Sequence, residues 1–134
     1  MAEPRWIDRL VVDAVHLDQI REHGGLAGLR DEDALESALA RPRHKWSYEE
    51  TTDVLTLAAA YGFGICRNHP YRDGNKRVAF VVMVIFLEIN GMRFEAREEE
   101  IVTLMFGMAA GHVSEDDLAD WLRAHVRRRG RGPA

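Results

Sequence analysis

The sequence has few of the features that mark a secreted or membrane-spanning chain. It has one cysteine in 134 residues, Cys66, so no disulfide can form within the chain. A lone thiol in an apolar stretch is typical of a small buried side chain. The longest apolar run, Val78 to Leu87, has 10 residues, too few to cross a bilayer, and no apolar signal region follows the charged start. We therefore expect a protein that works in the cytoplasm and has no membrane partner.

Basic charge is scarce outside the last few positions. The formal net charge is −4, and four of the 18 basic residues are arginines in the final eight positions. The first 126 residues therefore carry 14 basic against 22 acidic side chains. Nucleic-acid-binding proteins normally present a basic face, so we expect no direct nucleic-acid partner. The pattern predicts one domain, residues 1–126, and an arginine-rich, disordered tail, residues 127–134.

Apolar residues recur at steps of three and four, which predicts an all-α fold, a compact bundle of six helices. Apolar positions from Leu10 to Arg21 outline the first helix, which Gly24 can end in a left-handed conformation. Asp31 is the expected N-cap of the second helix. Pro42 is its expected end, with His44 to Glu50 as a loop or hairpin.

The second half of the chain predicts four more helices. The third runs from about Asp53 to Arg67, and its two inner glycines suggest that another backbone passes close to it. The fourth, Asn75 to Asn90, is apolar on every side in its middle, which is typical of a central helix surrounded by others. Glu98 to Ala110 is amphipathic, and a capping signature opens the last helix, Ser114 to His125.

A polar segment, Asn68 to Arg77, separates the two most apolar helices. Gly74 and Asn75 can turn the backbone so that its N–H groups converge, and the following helix start adds unpaired N–H groups and a positive dipole end. Lys76 and Arg77 lie in the first turn, where cations are unfavourable unless an anion binds there. The pattern therefore predicts a phosphate site.

Two side chains beside this site carry groups that can take part in a reaction. Asp73 would repel a bare phosphate, but its carboxylate suits a Mg²⁺ ion that bridges protein and phosphate oxygens. His69 is the candidate general base, because histidine exchanges protons near neutral pH. The simpler interpretation is a polar turn in which both residues only cap helices. Two adjacent cations at a helix start have no capping value, so the set favours transfer of a phosphorus-containing group to a hydroxyl.

The string His69 to Arg77 (HPYRDGNKR) resembles the motif of the Fic/Doc (Fido) family. That motif reads histidine, any residue, phenylalanine, any residue, acid, glycine, asparagine, glycine or lysine, and arginine. The segments 23–31 and 86–91 resemble the death-on-curing (Doc) branch, and the likeness covers about residues 7–126. The resemblance implies a six-helix Fido fold that uses ATP and Mg²⁺.

The resemblance also implies roles. His69 is the general base and Asp73 supports Mg²⁺. The phosphates are bound by Gly74, Asn75, Lys76 and Arg77. Tyr71 replaces the usual phenylalanine, so its hydroxyl needs a partner. Lys76 replaces the glycine of adenylyl-transferring members, and Phe80 stands at the position of their second arginine. Both differences match the Doc pattern, which is associated with transfer of the ATP γ-phosphate to a threonine of elongation factor Tu.

The resemblance implies restraint by a second protein. The chain lacks the inhibitory motif of self-restrained family members, so a Phd-like antitoxin that occupies a groove on the toxin is the expected partner. Residues 42–50 stand where the family carries a flap that aligns the protein target, although Trp46 could equally cover the edge of the core. Two alternatives to a kinase stay open. One is a protein adenylyltransferase, and the other is a non-catalytic toxin–antitoxin interaction protein.

Overall fold

The computed structural model describes residues 2–49 and 52–129. Within these ranges the chain forms six α-helices and one two-stranded antiparallel ribbon, which confirms the predicted all-α architecture. In chain order the elements are α1 (Arg9–His23), α2 (Glu32–Tyr48), α3 (Val54–Asn68), α4 (Asn75–Ile89), β1 (Met92–Phe94), α5 (Glu98–Ala109), α6 (Glu115–His125) and β2 (Val126–Arg128). None of these helices is long and apolar enough to span a membrane.

The centre of the bundle is the antiparallel pair α3 and α4. α4 packs on α3, α1, α5 and β1, while α2 and α6 pack on α3. The middle of α4 is buried on several sides, as predicted for a central helix. The buried apolar residues of α4 are Val78, Ala79, Val82, Met83, Phe86 and Leu87. The polar loop of residues 69–74 joins these two helices at one end. The most tightly packed part of the fold therefore positions both ends of that loop.

The two glycines inside α3 allow close approach, as predicted. A Cβ at Gly64 would stand 3.5 Å from both the Cα and the carbonyl oxygen of Ala38 in α2. A Cβ at Gly62 would stand 2.9 Å from the Met83 sulfur and 3.7 Å from the Ala79 carbonyl oxygen of α4. A Cβ at Gly62 would have to displace the flexible end of the Met83 side chain, while the backbone neighbours of both glycines lie at ordinary van der Waals distances.

The predicted end of the second helix is wrong. Pro42 lies inside α2 and is buried, and the helix continues to Tyr48 through most of the predicted loop. Glu50 lies outside the described residues. An interior proline costs a helix about 3 kcal/mol, and contacts beyond it offset that cost. Lys45 binds Glu115 at the start of α6 at 3.2 Å, and Trp46 packs against the core.

The predicted caps at Asp31 and Ser114 are confirmed, and Asp53, predicted only as the start of the third helix, is the N-cap of α3. The side chains of Asp31 and Asp53 accept hydrogen bonds from the backbone N–H groups of α2 and α3, at 3.0 and 2.7 Å. Ser114 and Asp117 form the reciprocal capping box of α6. Gly24 ends α1 with φ 80°, in the left-handed region that glycine adopts without strain. Local sequence signals therefore fix most of the helix boundaries.

The end of the chain differs in part from the expected disordered tail. Residues 126–128 form β2, which pairs with β1 in the register Phe94 with Val126, Arg93 with Arg127, and Met92 with Arg128. Arg129 donates its backbone N–H to Gly91 at 2.8 Å, and residues 130–134 lie outside the described residues. Helical periodicity does not reveal a strand of three residues, because it is too short to show alternation.

Candidate active site

His69 has an unusual backbone. It is the C-cap of α3 with φ 52° and ψ 52°, and no other non-glycine residue in the described ranges has a positive φ. The left-handed conformation costs a residue with a Cβ roughly 1–2 kcal/mol. The side chain is exposed, and its ring makes no hydrogen bond with the described residues. An exposed imidazole with no protein partner is free to accept a proton from a substrate.

The loop before α2, residues 25–31, lies along the His69 loop. Arg30 donates from Nε to the His69 carbonyl at 2.8 Å and from Nη2 to the Asn68 carbonyl at 3.0 Å. The backbone N–H groups of Arg30 and Asp31 both donate to the Pro70 carbonyl. Hydrogen bonds therefore hold the two segments against each other.

Tyr71 anchors the middle of the loop in the core. It is 2% exposed, and its hydroxyl donates to Asp13 Oδ1 of α1 at 2.8 Å, so the expected partner is present. The His16 ring stacks on the Tyr71 ring at 3.9 Å between centroids, with 11° between the planes. Burial and the Asp13 carboxylate together raise the pKa of Tyr71, so its hydroxyl stays protonated and donates.

Asn75 closes the loop on itself. Its side chain is 3% exposed, accepts a hydrogen bond from the Tyr71 N–H at 2.9 Å and donates to the Tyr71 carbonyl at 2.9 Å. The side-chain amide is therefore committed to the backbone. Any contact of Asn75 with an anion must come from its backbone N–H at the start of α4.

Asp73 is fixed at one carboxylate oxygen. Its Oδ2 accepts a hydrogen bond from the Leu26 N–H at 3.0 Å, while Oδ1 has no hydrogen bond with the described residues. Its carbonyl oxygen accepts a hydrogen bond from Nε2 of His16, which is 5% exposed, at 3.1 Å. A Cβ at Gly25 would stand 3.1 Å from Asp73 Oδ2, so this glycine lets the two segments approach each other.

The donor set at Asp73 fits Mg²⁺ that arrives with a phosphate. The described residues contain no cluster of three or more histidine, cysteine or acidic side chains that could hold a metal ion. Mg²⁺ commonly uses one or two carboxylates and takes its remaining ligands from water and substrate phosphates. The free Oδ1 of Asp73 could supply the protein ligand of such an ion.

The start of α4 is an uncapped, positively charged helix end. Gly74 is the N-cap with φ 77° and no side chain to cap the helix, and the first N–H groups make no hydrogen bond with the described residues. Lys76 and Arg77 are exposed and form no ion pair within the described ranges. Backbone donors, the helix dipole and two free cations therefore converge where the sequence predicts the phosphate site.

A cavity of about 510 Å³ lies beside the last turns of α3. Phe63, Cys66 and Arg67 line one side of it, and residues 108–109, 111–114 and 117 line the other. Burial raises the pKa of the Cys66 thiol, and the positive charge of Lys76 opposes this shift. Cys66 is thus half-buried at a cavity wall, and the Lys76 ammonium at the start of α4 is near enough to influence it.

Two further positions named from the sequence lie outside the loop. The Phe80 ring packs edge-on against Phe94 at 5.4 Å between centroids, so an apolar contact replaces the second arginine of adenylyl-transferring members. In the segment expected to form a flap, Lys45 pairs with Glu115 and Trp46 packs against the core, while Tyr48 is 84% exposed. The described part of this segment is helical, and the interpretation of Trp46 as a cover for the core is confirmed.

The sequence reasoning assigned no role to four residues that position this loop. Arg30 and Gly25 belong to the segment before α2, and Asp13 and His16 belong to α1. The signal for the second pair is their spacing of three residues on a helix, which puts them on one face. Arg30 gives no comparable signal, because its partners are backbone carbonyls about 39 residues away in sequence.

The sequence of this chain is similar to those of known proteins. The sequence model of the Fic/DOC family matches residues 6–87, which include the whole loop and nearly all of α4. The chain is 35% identical over 111 residues to "Protein kinase doc" of Escherichia phage P1, which covers 82% of this chain and 86% of that protein. It is 36% identical over 74 residues to "Toxin Doc" of Mycolicibacterium smegmatis, which covers 54% of this chain and 57% of that protein. With its six-helix Fido fold, the chain belongs to the Fic/DOC family.

Proposed function

We propose that this chain is a Doc-like toxin kinase of the cytoplasm. It transfers the γ-phosphate of ATP to a threonine hydroxyl of a protein, with elongation factor Tu as the target, and so arrests translation. The observation that carries the proposal is one loop that presents both an exposed histidine and an uncapped helix start with two cations, none of which has a side-chain partner among the described residues. The likeness to a protein named "Protein kinase doc" supports phosphate as the transferred group.

Phosphate binding falls to the start of α4. The free N–H groups of residues 75–77 donate to phosphate oxygens, and the positive end of the helix dipole favours their charge. Lys76 adds a compact charge, and Arg77 adds a planar fork that can hold two oxygens at once. Successive helical residues point about 100° apart, so the two side chains reach different oxygens.

Asp73 would hold Mg²⁺ through its free Oδ1, and the ion would neutralise charge on the phosphates while transfer proceeds. The residues around Asp73 keep its carboxylate in place. Leu26 fixes Oδ2, and His16 fixes the carbonyl, so the direction of Oδ1 is set before any ligand binds. Such preorganisation avoids the cost of ordering the carboxylate during the reaction.

His69 acts on the acceptor. The proposed step moves a proton from the threonine hydroxyl to the neutral imidazole while the hydroxyl oxygen bonds to the γ-phosphorus and the bond to the β-phosphate oxygen breaks. ADP leaves with the electron pair of the broken bond. The acceptor approaches from solvent, where the His69 side chain is exposed.

The nucleoside has a candidate place in the cavity beside α3. Its volume of about 510 Å³ lies within the range that small-molecule ligands occupy. Phe63 and Val113 contribute apolar surface to its wall, and the guanidinium groups of Arg41 and Arg67 both lie over the Phe63 ring, each at 5.8 Å from its centroid.

Restraint of the toxin is proposed to come from a Phd-like antitoxin. The sequence contains no serine or threonine followed, after three residues, by glutamate and then glycine or asparagine. Without such an internal inhibitor, a separate protein would have to limit the activity. Co-expression with the antitoxin of the same locus is expected to restore growth that the toxin arrests. A growth arrest that no neighbouring protein relieves would contradict this part of the proposal.

The label position decides between phosphate and nucleotide transfer. Purified protein, elongation factor Tu and Mg²⁺ are incubated with ATP labelled on the γ-phosphate or, in parallel, on the α-phosphate. The kinase proposal predicts label on elongation factor Tu only from γ-labelled ATP. Label from α-labelled ATP would establish adenylyl transfer instead. No label from either nucleotide, with antitoxin binding intact, would favour a non-catalytic interaction protein.

A further inference from the structure

The carbonyl groups at the end of α3 need donors, because the last carbonyls of a helix have no partner within it. Arg30 supplies donors to the last carbonyl of α3 and to the next two carbonyls of the chain. Its Nη2 donates to Asn68 at 3.0 Å and its Nε to His69 at 2.8 Å, while its backbone N–H donates to Pro70 at 2.7 Å. One residue of the loop before α2 thus binds the backbone on both sides of the His69 Cα.

The backbone at His69 is in a conformation that glycine adopts more easily. With φ 52° and ψ 52°, it is the usual helix-ending geometry, for which glycine is the common residue. A histidine held in this conformation carries backbone strain, and the conformation sets the direction of its side chain. Strain of this kind persists only where the surroundings determine the conformation. The Arg30 side chain donates to the carbonyls of Asn68 and His69, and the backbone N–H groups of Arg30 and Asp31 both donate to the Pro70 carbonyl.

We propose that Arg30 is a positioning residue for His69. Its planar guanidinium holds the Asn68 and His69 carbonyls in a fixed relation, which keeps His69 left-handed and its imidazole directed to solvent. A lysine could reach one carbonyl but could not reproduce the planar fork. The catalytic part of this inference rests on the proposed function, in which His69 is the base. The backbone part does not depend on any reaction.

The first test measures the backbone of His69 directly and needs neither ATP nor a protein target. NMR spectra compare the backbone chemical shifts of residues 68–70 and the amide exchange rates of Asn68 and His69 in the wild type, Arg30→Met and Arg21→Met. Arg21 is an exposed arginine of α1 whose side chain forms no hydrogen bond or ion pair with the described residues. We expect Arg30→Met alone to shift the His69 signals and to speed amide exchange there. Unchanged His69 signals in Arg30→Met would overturn the proposal.

The second test separates positioning from nucleotide binding. Because a misplacement of about 1 Å costs up to a hundredfold in rate, Arg30→Met is expected to lower kcat by about ten- to a hundredfold. Its KM for ATP should stay within about twofold, since the start of α4 is untouched. Arg30→Lys, which keeps the charge and one donor, should recover part of kcat. A raised KM with normal kcat, or the same kcat loss in Arg21→Met, would contradict the assignment.

Failure of the proposed function is distinguishable from failure of this inference. A wild-type protein that transfers no phosphate would refute the kinase proposal, while the NMR comparison would still decide whether Arg30 sets the His69 backbone. If the kinase is active but Arg30→Met leaves both kcat and the His69 signals unchanged, the inference is wrong and the kinase proposal stands.

Discussion

The substitution Asn75→Ala should lower the free energy of unfolding by more than is usual for the loss of a side chain of this size. The substitution removes two hydrogen bonds of 2.9 Å and leaves the N–H and carbonyl of Tyr71, which is 2% exposed, without partners. Each buried group left unsatisfied costs about 1–3 kcal/mol, so for the two groups we expect a loss of about 2–6 kcal/mol in the free energy of unfolding. For a chain of 134 residues, about 2.1 cal/mol/K per residue gives a fall in Tm of roughly 3.5 °C per kcal/mol. The expected fall for Asn75→Ala is therefore about 7–21 °C.

Thermal unfolding followed by circular dichroism measures this difference, and Asn68→Ala is the matched control. The Asn68 side chain is half-buried and donates one hydrogen bond, to the Ala34 carbonyl at 3.0 Å. Its loss should cost at most about 1.5 kcal/mol, or about 5 °C. If Asn75→Ala lowers Tm by less than about 3 °C, or by no more than the control, the side chain does not hold the loop as described.

Three further outcomes follow from the site and its surroundings. Gly25→Ala should lower kcat more than Gly24→Ala. Both positions have a positive φ, but only a Cβ at Gly25 would contact Asp73, at 3.1 Å from Oδ2. Equal kcat values for the two variants would count against this contact. Arg77→Ala should weaken ATP binding and make it less sensitive to salt, which calorimetry at two ionic strengths measures, and a wild-type affinity would contradict its role. The pKa of Glu100 is held at about 2, below its usual 4.5, mainly by the hydrogen bond it accepts from a backbone N–H, so its stabilisation is present above pH 4.5 and lost as the pH falls towards 2. Wild-type Tm should therefore drop more steeply than that of Glu100→Gln over this range, and parallel curves would refute the assignment.

Local signals predicted most of the helices because their causes lie in neighbouring residues. The caps at Asp31, Asp53 and Ser114 each act within three residues, and the apolar repeat of α4 directly reports its central position. Pro42 misled the prediction because a proline ends a helix only when nothing beyond it offsets the cost. The offset comes from Glu115, about 70 residues away in sequence, and no local pattern contains that contact.

In the candidate site, too, local features could be predicted from the sequence and distant contacts could not. The residues from His69 to Arg77 are contiguous, so their types and order could suggest a phosphate site and a base from the sequence alone. The groups that hold them in place are distant. Arg30 reaches the loop from before α2, and Asp13 and His16 reach it from α1. Arg30 and His16 bind backbone carbonyls, and a carbonyl carries no residue type by which its partner could be identified from the sequence.

The most direct test of the account is the intact mass of elongation factor Tu after incubation with this protein and Mg-ATP. The His69→Ala variant runs in parallel, with ATP binding checked by calorimetry because the phosphate site does not include the imidazole. We expect a phosphate-sized increment from the wild type, none from His69→Ala, and similar ATP affinity for both proteins. An AMP-sized increment, or a phosphate-sized increment that persists in His69→Ala, would contradict this expectation.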